Sequence, residues 1–196
     1  MADRSARLPA ARRRRQLLDV ALRSFAERGF HQTSMDDIAE AAGVTKPVLY
    51  QHFTSKRDLY IELLDDVGGR MMEGIAKAVA AANGPRQQVE AGMRAYFSFV
   101  AEEADAFRLL FGSGTRRDEE FERAARRVED SIAEAVAVFI DADIDPEHRR
   151  MLAHGLVGLA EGTSRVWLHD GMPGGAEQLA GRIAELAWAG LRGIRR

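Results

Sequence analysis

An all-α fold of about nine helices is predicted by three features of the 196-residue sequence. Apolar residues recur at helical spacing almost throughout, while the two-residue alternation of strands is nearly absent. Glycine, proline and capping residues punctuate the chain at helix-sized intervals. Two short helical segments around a glycine follow a longer one near the N-terminus, the pattern of a three-helix helix-turn-helix unit. These features place an N-terminal domain at residues 1–55 and a helical body at 56–196.

The elements follow in order. Leu17, Leu18, Ala21, Leu22 and Phe25 form the first apolar stripe, and Gly29 reads as its stop. Ser34 and Asp37 make a capping box with Asp in place of the usual Glu, opening a short helix that carries Met35, Ile38 and Ala39. Gly43 supplies a turn conformation that other residues resist. Thr45 caps a second short helix with Pro47 in its first turn, where a missing N–H costs little. Val44, Val48 and Leu49 pack this helix onto the first stripe, and Phe53 closes the segment. Ser55 caps a long helix to about Ala82, with Leu59, Leu63, Val67, Met71 and Ile75 about one turn apart.

Asn83-Gly84-Pro85 breaks the chain. A helix over 85–103 follows, then a short one around Phe107–Phe111 that ends at Gly112-Ser113-Gly114. Phe121, Ala124, Val128, Ile132, Ala135, Val136 and Phe139 mark the next helix. Asp145-Pro146, a cap followed by proline at the first helical position, opens a helix to about His169. Residues 170–175 form a turn cluster. The last helix, about 176–192, carries Leu179, Ile183, Leu186 and Leu191.

Charge is segregated. Residues 1–57 hold 11 Lys/Arg and 6 Asp/Glu, giving +5, and the remainder holds 17 and 24, giving -7. A basic head on an acidic body suits a polyanion-binding unit attached to one that avoids the polyanion. The absence of cysteine excludes disulfides, thiolate nucleophiles and cysteine-ligated metals. No apolar run reaches the roughly 18 residues a membrane helix needs. Asp19, Arg23 and Glu27 follow Arg12–Arg15, so no signal-peptide core is present and a cytoplasmic address is expected.

On the second short helix, the face away from the apolar stripe offers Thr45, Lys46, Tyr50 and His52. Lysine neutralises phosphate or reads guanine. Threonine and proline touch a thymine methyl, and tyrosine and histidine bond phosphate oxygens. Thr33–Phe53, TSMDDIAEAAGVTKPVLYQHF, followed by Ser55-Lys56 and Leu59, resembles the DNA-binding signature of TetR-family regulators over about residues 10–60. The resemblance implies that Ser34 caps the second helix and contacts phosphate. It places Thr45, Lys46 and Pro47 in the major groove, Tyr50 and His52 on the backbone, and Lys56 at a phosphate. Pro47 departs from the small or polar residue usual at its position, which shifts recognition there towards van der Waals contact. Arg12–Arg15 reaches phosphates or a minor groove, or forms a solvated tail.

The body shows no catalytic constellation, and no enzyme activity or cofactor is expected. His148, His154 and His169 lack the i, i+4 spacing of a helical metal site, and Glu161 and Arg165 are spaced as a surface pair. Met71, Met72, Met93, Phe97, Phe107, Leu110, Phe111, Phe121 and Phe139 form core or line an adaptable apolar cavity. The resemblance implies the cavity, with a small apolar or amphipathic effector. Gly155, Gly158 and Gly162 on one helix and Ala180, Ala184 and Ala187 on another let helices pack closely, either within the chain or across a two-fold axis as a homodimer, with Trp167 and Trp188 adding buried area. The family resemblance favours the homodimer on double-stranded operator DNA. KPVLYQHF, FRLLF (107–111), GLVGLAEGTSRVWL (155–168) and AWAGL (187–191) resemble an actinobacterial subgroup whose members control fatty-acid synthesis and respond to long-chain acyl-CoA. Open alternatives are an efflux regulator answering cationic or aromatic compounds, a non-specific DNA binder and a helical enzyme.

Overall fold

The computed structural model describes residues 9–112, 117–140 and 143–194. Nine α-helices and no strand occur among the described residues. The chain divides into two compact units, residues 1–64 and 65–196.

In the first unit, α1 (Ala10–Gln32) buries Leu17, Leu18, Ala21 and Phe25 of the stripe read from the sequence, with Leu22 half-buried. Gly29 breaks the helix at φ 76°, but the chain regains a helical turn to Gln32 instead of stopping. Thr33, almost fully buried, follows this turn, and its hydroxyl shares its one hydrogen between the carbonyls of Ser24 (3.1 Å) and Gly29 (2.9 Å).

Helix α2 (Met35–Ala41) opens with the expected capping box. The Ser34 hydroxyl accepts from Asp37 N–H (3.1 Å) and the Asp37 carboxylate accepts from Ser34 N–H (2.8 Å). The shorter Asp side chain therefore closes the box as Glu would. Gly43, at φ 65°, turns the chain so that Val44 N–H returns to the Ala39 carbonyl. Helix α3 (Lys46–Tyr50) is pinned by fully buried Leu49, with Val44 and Val48 half-buried. Helix α4 (Lys56–Ala80) is capped by the Ser55 hydroxyl, which accepts from Asp58 N–H. Tyr60 of α4 meets Phe25 and Phe30 edge-on at 5.1 Å each, fixing the start of α4 against α1.

The second unit contains the rest of α4 with α5 (Pro85–Glu102), α6 (Ala104–Phe111), α7 (Glu119–Ala137), α8 (Pro146–His169) and α9 (Gly175–Leu191). Helix α9 lies along α5, and α8 along α7. Asp145 caps α8 by accepting from His148 N–H (2.9 Å). Ser113 and Gly114, expected to help end α6, lie outside the described residues. At Gly68 α4 meets α7 so closely that an added Cβ would overlap Val128 Cγ1. No helix among the described residues is long and apolar enough to cross a membrane.

Candidate DNA interface and effector cavity

Leu49 anchors α3 in the core, while Thr45, Lys46 and Pro47 at its start and Tyr50 at its end are exposed, with His52 half-buried just beyond. Thr45 occupies the N-cap position without a side-chain cap bond, which leaves its hydroxyl uncommitted to the helix start. Lys46 Nζ donates to Asp36 Oδ2 of α2 at 2.9 Å, and that carboxylate holds the ammonium more firmly protonated than usual. Asp37 is pushed below the ordinary carboxylate range, first by the Ser34 hydroxyl and backbone bonds and then by Arg28 at 3.8 Å. Ser34 is exposed at the start of α2.

Lys56 is placed differently from a purely phosphate-directed lysine. Its ammonium donates to the carbonyls of Phe30 and Thr33 (2.8 Å each) and stands over the Phe30 ring at 4.3 Å. With three N–H groups, it keeps one beyond these two bonds. The arginine run lies in the first turns of α1. Arg13 bonds Gln16, Arg15 pairs with Asp19, and Arg14 pairs with Glu62 and stacks on Phe53 at 4.9 Å. These three are thus built into the folded unit instead of forming a free tail.

The second unit holds a partly open apolar cavity of about 120 Å³. It is lined by Met72, Ile75, Ala76 and Val79 of α4, Gln88, Val89, Gly92, Met93 and Tyr96 of α5, Ile132, Ala135 and Val136 of α7, Phe139 and Ile140 beyond it, Leu156, Val157 and Ala160 of α8, and Leu191. The Gln88 amide and the Tyr96 hydroxyl are the polar side-chain groups in this lining. Burial pushes the Tyr96 phenol upward from its usual pKa.

Of the expected effector residues, Met72 and Met93 line this cavity. Met71, Phe97, Phe107, Leu110, Phe111 and Phe121 do not. They are 0–3% exposed and form the solid core, Phe97 against Trp167 at 6.3 Å and Phe107 against Phe111 at 4.9 Å. Phe139, which the sequence reading left as core or cavity, is in the lining. Sequence reasoning missed Tyr96, Val89, Leu156 and Val157. Ile132 and Val136 stood in the α7 stripe, but without a sign that they faced a space.

The small-residue faces part company. Gly155, Gly158 and Gly162 lie exposed along α8 with Met151 and Val166, and a Cβ added at any of the three glycines meets nothing within 4 Å. Ala180, Ala184 and Ala187 are 1–5% exposed and belong to the α9 face buried within the single chain, the intrachain alternative for these small residues. Their small side chains let α9 lie close along α5. Glu161 and Arg165 pair on the α8 surface, and His154 Nε2 stands 3.7 Å from Asp130. Trp167 donates to the Pro173 carbonyl (3.1 Å) and is buried, and Trp188 is half-buried.

Residues 17–63 match the profile of bacterial regulatory proteins of the tetR family, and residues 85–190 match the tetracyclin repressor-like C-terminal domain. The chain belongs to the TetR family of bacterial DNA-binding transcription regulators. It is 33% identical to the HTH-type transcriptional activator FasR of Mycolicibacterium smegmatis over 96% of this chain and 87% of that protein. A TetR-like regulator from Rhodococcus sp. RHA1 superposes with a TM-score of 0.77 at 30% identity, covering 95% of this chain and all of the other. FadR of Bacillus subtilis, solved in complex with stearoyl-CoA, shares the fold at a TM-score of 0.78 and 18% identity, covering 88% of this chain and 96% of that one. These relatives are all named as transcriptional regulators.

Proposed function

We propose that this TetR-family protein is a cytoplasmic, ligand-responsive regulator that binds a palindromic operator as a homodimer through α2 and α3. The exposure of Thr45, Lys46, Pro47 and Tyr50 on a short helix anchored by buried Leu49 is the observation that carries this reading. Thr45, Lys46 and Pro47 enter the major groove, Ser34, Tyr50 and His52 hold phosphates, and Lys56 spends its remaining N–H on a further phosphate. Two recognition helices must stand about 34–36 Å apart to enter successive grooves. The exposed glycine face of α8, rimmed by Met151 and Val166, brings the second copy close. Selection from a random DNA pool is expected to return a two-fold symmetric motif, with affinity falling steeply as salt rises. Lys46→Ala and Tyr50→Ala are each expected to erase the operator footprint while leaving helicity unchanged. An unenriched pool would refute the reading.

The effector is an apolar or amphipathic molecule whose tail enters the cavity, and a long-chain acyl thioester suits it best. No lining side chain carries a charge, so a cation would lose hydration without gaining a carboxylate. That argues against the alternative of a cationic drug. The stearoyl-CoA bound to the B. subtilis FadR lends support from a protein of the same fold. At about 120 Å³ the space is well below the roughly 300–1,000 Å³ of drug-sized sites, so a long tail must part the helices. Met72, Ile75, Ala76 and Val79 lie on α4, the one helix that runs from the first unit into the second, so filling the cavity displaces the element shared with the DNA-binding head. Ligand and operator then oppose each other reciprocally by about 1–3 kcal/mol. Met93→Trp, which fills the cavity, is expected to abolish any effect of long-chain acyl-CoA on operator affinity while operator binding itself persists. A fully responsive Met93→Trp protein would place the effector elsewhere.

A further inference from the structure

Two carboxylates start α2, and they differ in what they do. Asp37 closes the capping box and faces Arg28. Asp36 has no part in the box and reaches instead across to α3, where Oδ2 accepts from Lys46 Nζ at 2.9 Å. Both side chains are largely exposed, at 65% and 52%. An exposed ion pair of this kind adds almost nothing to folding stability. Its physical consequence is therefore local: the sole lysine on the recognition face arrives at DNA already paired with a negative charge.

Resting on the operator-binding reading above, we propose that Asp36 is a specificity-determining residue that turns Lys46 from a phosphate neutraliser into a reader of a G·C base pair. A lysine ammonium has three donors. Asp36 takes one, leaving two for the adjacent O6 and N7 acceptors of guanine. The Asp36 carboxylate beside it accepts from the cytosine N4 amino group of the same pair. Donor and acceptor 2.9 Å apart thus match the order of groups on the G·C edge. The same carboxylate repels phosphates, so it lowers affinity for DNA that does not offer this pair. Discrimination arises here by making wrong contacts unfavourable as well as right ones favourable.

The test compares wild type, Asp36→Ala and Asp36→Asn by random-pool selection and by titration of the selected and an unrelated duplex over a series of salt concentrations. Freed Lys46 would neutralise one more phosphate per subunit. Each such contact steepens the salt slope by about 0.9 and strengthens binding about eightfold near 0.1 M salt. For a dimer with two such contacts the expected result is tighter binding of unrelated DNA by about 60-fold, a salt slope steeper by about 1.8, and loss of preference at one G·C pair per half-site. Asp36→Asn, which keeps the shape and removes the charge, is expected to do the same, and neither variant changes helicity. If wild type selects a motif and both variants keep its G·C preference and its weak binding of unrelated DNA, Asp36 has no such role and the operator reading stands. If wild type selects no motif, the operator reading falls and this proposal falls with it.

Discussion

Gly158→Arg is expected to yield a folded monomer, and Ala184→Arg a chain that does not fold. Both positions looked alike in sequence, as small residues on a long C-terminal helix. Gly158 is exposed on α8 with open space around it, so an arginine there leaves the single chain intact and places a charge where the proposed second copy must come close. Ala184 is 1% exposed within the chain. An arginine there buries an unpaired charge at a cost of several kcal/mol, comparable with the whole stability of a domain, about 5–15 kcal/mol. Light scattering is expected to move from twice 21.7 kDa to 21.7 kDa for Gly158→Arg, with circular dichroism unchanged. Operator affinity then falls about 10²–10⁴-fold, because two linked half-site contacts become independent ones. A Gly158→Arg protein that stays dimeric would show that the α8 face is not the interface.

The second large effect is expected at Gly68, where α4 passes Val128 of α7. An added Cβ would overlap Cγ1 and stand 2.9 Å from Cγ2 and 3.2 Å from Cβ of Val128. The clash involves the whole branched end, so no single rotation of Val128 relieves it. Gly68→Val is expected to cost about 3 kcal/mol, at the upper end for overpacking, which outweighs the fraction of a kcal/mol that valine gains over glycine in a helix. At about 2–4 °C per kcal/mol for a chain of this size, the melting temperature falls by roughly 6–12 °C. Adding Val128→Ala is expected to restore most of it, and Gly69→Val, whose Cβ meets nothing within 4 Å, to change little. Equal losses at positions 68 and 69 would mean that glycine matters there for the backbone and not for the close approach.

Features decided within a few residues were legible without coordinates. Ser34 and Asp37, Gly43, Pro47, Ser55 and Asp145-Pro146 act through local hydrogen bonds and backbone preference, and each stands at the turn or helix start assigned to it, while Thr45 takes its N-cap position without the side-chain bond expected of it. Features decided by a distant neighbour were not. Met71 and Met72 are adjacent and chemically identical, yet one is core and the other lines the cavity, because helical spacing says which residues turn inward but not what they meet. Small α9 alanines signalled a close helix neighbour, and nothing in their spacing named α5 as that neighbour. Lys56 has the residue type expected of a phosphate contact, while its bonds to the Phe30 and Thr33 carbonyls depend on α1 and α4 converging. After Gly29 the chain keeps one more helical turn and the Thr33 hydroxyl bonds back to the Ser24 and Gly29 carbonyls, an arrangement that glycine punctuation alone does not reveal.

The apolar cavity has a mechanical side. Atoms facing an unfilled space lack contacts on one side, so the walls around Met93, Ile132 and Val157 forgo dispersion attraction that a close-packed interior would have. Squeezing the protein favours whatever state removes that empty volume. A tail seated between those walls would supply the missing contacts as heat released on binding.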